Sequence, residues 1–435
     1  LTIDGKPTIG IDEVEKALPL AKSLLPSKWL EKQKLRRSTS EELVSPHRAL
    51  FSRKQNLHAI AFGYQTKPMH PIAECIHATE QSIISYKRGE ISFPSAVLCS
   101  RLLSLRDVAL ARNRVEGVTS RLSKLKGAEW KTTLYELLTA ASYINSHPVK
   151  LLPDNSNDPI PDIEIGKSAG VFVECKSRLP FEKEVESFIN TWRRTQLVEI
   201  FNALIKVEKS LIVRVDVESI KELKESPKGA VGGIVRELLA RSRAPRHRYG
   251  CTVNIESYPA IHTNLSKPLS PTGAAIWEHG WNFRERDKWH YILPSGNITI
   301  SDADSRIATA YGQRILVCVR AKELLSNTPK VSQVIKTAAR RQLRLAKTGL
   351  LHIRLDSALY GLGEQRYPKN IANSLKDEIA RVFRDYSRLW RVYIDLNHGG
   401  QIFDADVPSC LRWTATNEHG SAPATFTEPR PVLLV

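Results

Sequence analysis

The chain has 435 residues, 42% hydrophobic and 25% charged, the ordinary composition of a globular protein with real cores and a length that suggests two to three domains. Lys and Arg number 64 against 46 Asp and Glu, a formal net charge of +18, which favours a polyanionic partner, nucleic acid first, through phosphate contacts and counterion release. No apolar run approaches the roughly 18 residues of a membrane span, and no basic amphipathic anchor marks a membrane surface, so no membrane association is expected.

The opening residues, LTIDGKPTIGIDEVEKAL, carry early acidic residues and no continuous apolar segment, and do not read as a secretory signal. Residues 1–125 read as a helical, basic N-terminal region, with IDEVEKALPLAKSLL broken by Pro19 and Pro26 and Ser40 placed as a helix cap before EELV. The stretch FPSAVLCSRLLSLRDVALARNRVEGVTSRLSKL adds Arg101, Arg106, Arg112, Arg114 and Arg121, each a solvated-face residue taken singly, and together a phosphate-tracking surface. The cysteines (Cys75, Cys99, Cys175, Cys251, Cys318, Cys410) form no C-x-x-C pair. They read as structural thiols of a reduced, intracellular and cytoplasmic protein, with no zinc cage.

From residue 126 the texture changes. GAEWKTTLYELLTAASYINSH predicts an amphipathic helix with Trp130, Leu134, Leu137, Leu138, Ala141 and Ile144 as its apolar stripe. Three strands follow in VKLLP, PDIEI and VFVECKSR, the last two joined as a hairpin by GKSAG. EKEVESFINTWRRTQLVEIFNALIKVE is a long helix and SLIVRVDVE a strand, so the order is helix, three strands, helix, strand. A helix at GAVGGIVRELLARSR, a basic loop at RSRAPRHRYG and the strand CTVNIESY bring this segment to residue 257. Residues 258–313 read as an irregular insertion or small β-rich unit with Trp277, Trp281 and Trp289. Residues 314–435 return to α/β rhythm, with strands at RILVCVRA, GLLHIRLD and RVYIDLN, helices at KVSQVIKTAARRQLRLAK and IANSLKDEIARVFRDYSRLW, and an irregular tail after Asn397.

Strand geometry puts Glu174 and Lys176 on one face, because alternate side chains share a side. Cys175 is expected to point the other way, with Phe172, toward the core. Asp162 and Glu164 share a face of the preceding strand, and the hairpin brings Asp162 beside Glu174. Two like charges at a sheet rim repel. A hard divalent cation resolves that conflict, since Mg²⁺ binds one or two carboxylates together with phosphate oxygens. An ammonium next to it can hold a water or stabilise negative charge developing on phosphorus.

Pro161-Asp162, an eleven-residue gap and then Glu174-Cys175-Lys176 resemble the PD-(D/E)xK, or restriction-endonuclease-like, nuclease superfamily. The resemblance covers about residues 126–217. It implies an α/β fold: a mixed sheet flanked by helices at 126–257, with the helical N-terminal region and further C-terminal α/β elements around it. It further implies a Mg²⁺-dependent endonuclease, with Mn²⁺ as a substitute, acting on DNA in a defence, repair or recombination setting. Asp162 and Glu174 would be metal ligands and Lys176 the catalytic lysine. An acidic residue on the first helix would join the metal, with Glu136 preferred over Glu129, and Gln196 on the following helix could supply a further polar group. A protein partner such as an ATPase or other complex subunit is compatible with the resemblance. The rival from another class is a nucleic-acid-binding or scaffold subunit with a nuclease-like fold and little or no catalysis.

Outside this motif, Arg193 and Arg194 are candidate nucleic-acid contacts. Arg340, Arg344 and Lys347, at i, i+4, i+7 spacing, form a candidate phosphate-facing ridge, weighed against a solvated helix face. Arg241, Arg243, Arg246 and Arg248 are loop candidates, while Trp281 and Trp289 read as core more than as base-stacking groups. The 12 histidines show no metal-binding spacing.

Overall fold

The computed structural model describes residues 2–3, 6–7, 10–35, 69–89, 96–153, 159–166, 170–177, 180–204, 207, 209–241, 244–258, 263–265, 291–302, 307–324, 328–344, 346–356, 367–397, 410–420, 422–423 and 426–429. Ser40 and the three tryptophans of the expected insertion, Trp277, Trp281 and Trp289, lie outside these residues.

After a two-residue antiparallel pair, β1 (Thr2–Ile3) and β2 (Lys6–Pro7), the described part of the N-terminal region is mainly helical. It comprises α1 (Ile11–Ser23), α2 (Ser27–Lys34), α3 (Pro71–Lys87), α4 (Ala96–Ala111) and α5 (Val118–Lys124), with β3 (Val115–Glu116) before α5. Pro19 does not break α1: it lies inside the helix, whereas Pro26 occupies the N-cap of α2, where a missing N–H is tolerated. His70 caps α3 by accepting the Ile72 N–H at 3.3 Å, with Pro71 in the first turn where its fixed φ suits a helix start.

Helix α6 (Trp130–Tyr143) leads into β4 (Val149–Leu151), β5 (Ile163–Ile165) and β6 (Val171–Lys176). Next come α7 (Pro180–Trp192), a π segment (Arg193–Leu197), α8 (Val198–Leu204), β7 (Ser210–Val217), α9 (Ile220–Glu225), α10 (Ala230–Arg241), β8 (Arg246–Arg248) and β9 (Cys251–Tyr258). The described part of the expected irregular stretch is extended, in β10 (Thr263–Leu265) and β11 (Tyr291–Asp302), and β12 (Ile307–Ala321) follows. The chain continues through α11 (Thr328–Thr337), a π segment (Ala338–Gln342), β13 (Thr348–Asp356), α12 (Tyr367–Asp385), β14 (Leu389–Asn397) and β15 (Cys410–Thr416). β15 falls in the tail expected to be irregular; it pairs antiparallel with β14 from Cys410 against Asn397 to Thr416 against Arg391.

The protein is thus of mixed α/β class, with two mixed sheets. One has the order β15-β14-β13-β6-β5-β4-β3; the other runs β10-β12-β7-β9-β8, with β11 also on β12. β5 and β6 form the expected hairpin, and β4 pairs antiparallel with β5. The strand beside β6 is not β7, the next strand in the chain, but β13, parallel to it with His352 opposite Cys175. β7 belongs to the second sheet, parallel to β12 and antiparallel to β9. The order helix, three strands, helix, strand is therefore completed in the first sheet by α11 and β13. The second sheet's strands lie between β6 and α11 in the chain. A parallel neighbour needs only a crossover that returns to the same end of the sheet, and nothing local in sequence distinguishes a short crossover from one carrying a second α/β unit. Segments 126–257 and 314–435 consequently share a sheet.

Each sheet is held by burial of its alternating faces. Val171, Val173 and Cys175 of β6 and Leu350 of β13 pack with α1 and α3–α6 in one core. Leu351, Ile353 and Leu355 on the opposite face pack against Val331, Ile335, Leu375, Ile379 and Val382 of α11 and α12. The second sheet has its own core, with Val213, Val215 and Val217 against α7, α8 and α10. Each fully buried Val in these faces contributes about 1.5–3 kcal/mol relative to exposure.

Candidate active site

The first sheet's β5–β6 hairpin positions the central residues. Asp162, just before β5, is fixed by its backbone on both sides: its N–H donates to Val173 O at 3.1 Å, and its own carbonyl accepts the Leu152 N–H at 2.9 Å. Its side-chain Oδ2 accepts the Cys175 N–H at 2.7 Å. Glu164 pairs in register with Phe172, so the pleat sets Asp162, Glu164, Phe172, Glu174 and Lys176 on one face. Phe172 is therefore not on the Cys175 face, as expected from sequence. It packs with the α11–α12 core, while Cys175 is buried in the core beneath α6. The period of two governs here: residues 172, 174 and 176 must share a side.

Glu136 reaches the same place from α6. Its Oε2 lies 3.2 Å from Arg121 Nε, and the Arg121 guanidinium lies 3.8 Å from Asp162 Oδ1 while donating to Leu152 O at 3.0 Å. Arg121 is carried by α5, whose N-cap Gly117 adopts φ +80°; a Cβ there would meet Leu151 O at 2.4 Å. Glycine thus allows α5 to approach β4 closely enough for Arg121 to reach the carboxylates. Lys176 closes the set by donating to Glu174 Oε1, and the Glu174 side chain is 1% exposed.

Three carboxylates are thereby crowded together, Glu136 and Glu174 buried and Asp162 half-buried, and each is disfavoured as an anion. Burial, then the Asp162 charge, push Glu136 up to about 8, against the opposing pull of Arg121, Lys124 and Lys176. Burial and the Asp162 charge also push Glu174 well above the usual carboxylate range, despite Lys176. Burial raises Asp162 too, outweighing Lys176, the Cys175 N–H and Arg121. For Lys176, burial disfavours the ammonium, but Glu174 and Asp162 outweigh it and hold the charge. Among the described residues, no donor is set against the buried Glu174 Oε2.

The donor set is all oxygen, which suits a hard divalent cation such as Mg²⁺. Among the described residues, however, no group of three or more His, Cys, Asp or Glu side chains is arranged to hold a metal ion. Arg121 and Lys176 supply the countercharge instead.

Glu129 is exposed at the N-cap of α6, so of the two helix glutamates only Glu136 comes to the site. Glu164 is partly exposed, with its backbone paired to Lys150 and Phe172. Gln196 is not at the site: it lies in the π segment before α8, where its Oε1 accepts the Val231 N–H at 3.1 Å and caps α10. Arg193 and Arg194 share that segment, and their side chains lie outside what the structure describes.

The expected helical ridge of Arg340, Arg344 and Lys347 is corrected in part. The helix ends in a π segment at Gln342, so Arg344 and Lys347 follow it in the turn into β13; all three side chains are exposed. Arg246 and Arg248 are exposed on β8 rather than in a loop, and the Arg241 and Arg243 side chains are outside the described set. In the N-terminal group, Arg106 pairs with Glu13 and Asp107, and Arg114 bonds Asn145 and Ile144 O. The expected phosphate-tracking surface thus loses Arg121 to the interior.

A second polar group, on the opposite face of the sheet, had no sequence signal. Asp395, 0% exposed, accepts from Tyr135 OH at 2.7 Å and from both Arg412 Nε and Nη2, at 2.7 and 2.9 Å. His352, also fully buried, pairs its Nε2 with Tyr143 OH at 2.8 Å, and burial lowers its pKa to about 4.

Compared with protein-family models, with curated proteins and with solved structures, the chain matches none. No helix among the described residues is long and apolar enough to cross a membrane.

Proposed function

We propose that this chain is a metal-dependent nuclease that hydrolyses phosphodiester bonds, in DNA by preference, at the site formed by Asp162, Glu174, Lys176 and Glu136. The observation that carries this reading is the crowding of three carboxylates, Glu136 and Glu174 buried and Asp162 half-buried, beside a lysine on the same sheet face as Asp162 and Glu174. Such an arrangement is costly for a purely structural site. It is also the donor set that a divalent cation would satisfy, and the buried Glu174 Oε2, which meets no donor among the described residues, fits that role.

Asp162 and Glu174 would hold Mg²⁺, or Mn²⁺ in its place, with Glu136 contributing from α6. When bound, the metal would supply charge stabilisation on the phosphate and a water of lowered pKa. The chain's own contribution is positioning. The Cys175 N–H fixes one oxygen of Asp162, Arg121 pairs with Glu136, and Lys176, on the face it shares with Glu174, would orient a water or stabilise charge on phosphorus. The order helix, three strands, helix, strand within one mixed sheet also supports the restriction-endonuclease-like reading of the core.

One observation favours the second reading, a nucleic-acid-binding or scaffold subunit with little catalysis: the carboxylates are met by Arg121 and Lys176 rather than set out as a three-residue metal cluster. Incubating the chain with plasmid, single-stranded DNA and RNA, in Mg²⁺, Mn²⁺ or EDTA, separates the two. The nuclease reading expects cleavage in metal, none in EDTA, and loss in Asp162→Ala and Lys176→Ala. Cleavage surviving both substitutions removes the site assignment, and binding without cleavage under every condition favours the scaffold. A requirement for an ATPase or other partner subunit would show as cleavage only in its presence.

A further inference from the structure

A cleft of about 590 Å³ is lined by residues that adjoin Asp162 and Glu174 in the chain, with walls of opposite chemistry. One wall is apolar and includes Ile160, Pro161 and Phe172; the other, formed by the end of the crossover helix and the turn after it, carries Arg340, Arg341 and Arg344. Pro161 immediately precedes Asp162, and Phe172 lies two residues before Glu174 on the same strand face, roughly 7 Å along the strand. The three arginines are exposed. Gln342 also lines the cleft.

These features ask for different parts of one ligand. Exposed guanidiniums on a chain of net charge +18 suit phosphate oxygens. An apolar wall with an aromatic ring gains nothing from a phosphate but stacks with a nucleobase face. In an intact duplex the bases are stacked inside and the outer surface is phosphate and sugar, so the apolar wall would be left without a partner.

We infer that the cleft seats an unpaired nucleotide of single-stranded DNA, with its base against Phe172 and Ile160 and its phosphates on Arg340, Arg341 and Arg344. The adjoining phosphodiester is then delivered to Asp162 and Glu174. The role of the cleft as a substrate subsite rests on the nuclease reading; the binding itself does not. The substrate class is accordingly an unpaired strand, end or flap rather than a continuous duplex.

The test is equilibrium binding of the full chain in EDTA, by fluorescence anisotropy, to a short single strand, to the same strand with abasic sites, and to a blunt duplex of equal length. The expected result is that the single strand binds about tenfold or more tighter than either comparison. The Arg340→Ala, Arg341→Ala, Arg344→Ala triple variant should weaken it by at least about tenfold and flatten the salt dependence. Phe172→Leu, which keeps aliphatic bulk in the core, should reduce the base-bearing strand toward the abasic level without changing the abasic affinity. Equal affinity for all three probes, or unchanged affinity in the arginine variant, overturns the assignment. Cleavage in Mg²⁺ is read in parallel: selective strand binding with no cleavage keeps the cleft and removes the nuclease reading, whereas cleavage with no preference for the unpaired strand does the reverse.

Discussion

Arg121 Nε lies 3.2 Å from Glu136 Oε2 with both side chains buried, and the same guanidinium approaches Asp162 Oδ1 at 3.8 Å. A helix outside the motif thus supplies the fixed positive charge between two of its carboxylates.

Arg121→Ala should leave Glu136 and Asp162 buried without that partner. The expected loss is about 3–5 kcal/mol of unfolding free energy, the magnitude for breaking a buried ion pair. Adding Glu136→Gln should recover part of it, giving a coupling of roughly 0.5–3 kcal/mol in a double-mutant cycle followed by urea unfolding. Strict additivity would show that the two residues do not act as a pair.

The raised pKa of Glu136 fixes a sign. Below its ordinary value of 4.5 the group is protonated in both folded and unfolded chains; between 4.5 and about 8 the unfolded chain has released the proton and the folded chain retains it. In EDTA, the contribution of Glu136 should therefore be fully present below pH 4.5 and be lost as pH rises to about 8. Glu136→Gln should flatten that part of the stability profile, measured as urea midpoint against pH.

His352 works in the opposite direction. Its pKa is lowered from 6.5 to about 4 by burial, so stability should fall as pH drops through that window, because the unfolded chain takes up the proton first. His352→Gln should remove this acidic-limb slope, and a retained slope would place the proton elsewhere. In the same network, Tyr135→Phe removes the hydroxyl that donates to Asp395 at 2.7 Å. It should cost about 1.5–3 kcal/mol, the range for a hydrogen bond to a charged group.

Gln196 separates a structural from a catalytic role. Its Oε1 satisfies the buried Val231 N–H, so Gln196→Ala should lower stability by about 1–3 kcal/mol while leaving cleavage per folded molecule unchanged. Reduced cleavage at unchanged stability would place Gln196 in the active site.

The contrast between Glu174 and Arg121 shows what could be read from sequence. The face shared by Asp162, Glu174 and Lys176 follows from a strand period of two and a hairpin, both local properties, and β5 and β6 fall where those rules place them. Phe172 obeys the same period on the Glu174 face. Glu136 was legible because its helix is strongly patterned and immediately precedes the strands. Arg121 was not: its spacing from Glu136 is set by the turn at Gly117 and by how α5 rests on β4, which is tertiary packing. The substitution of β13 for β7 beside β6 has a similar origin, since both are apolar strands after helices and only long-range pairing distinguishes them. The Tyr135–Asp395–Arg412 network joins residues 260 apart in the chain, a distance at which no local pattern operates.

The most direct measurement is Mn²⁺ binding to the full chain at pH 8.5, read by electron paramagnetic resonance, for the wild type, Asp162→Asn and Glu174→Gln; the pH lies above the value of about 8 for Glu136, so that carboxylate is available as an anion. The account predicts binding in the wild type that weakens by at least about tenfold in each variant, since each removes one charged oxygen donor from a site for a hard cation. Identical Mn²⁺ binding in all three proteins would contradict it.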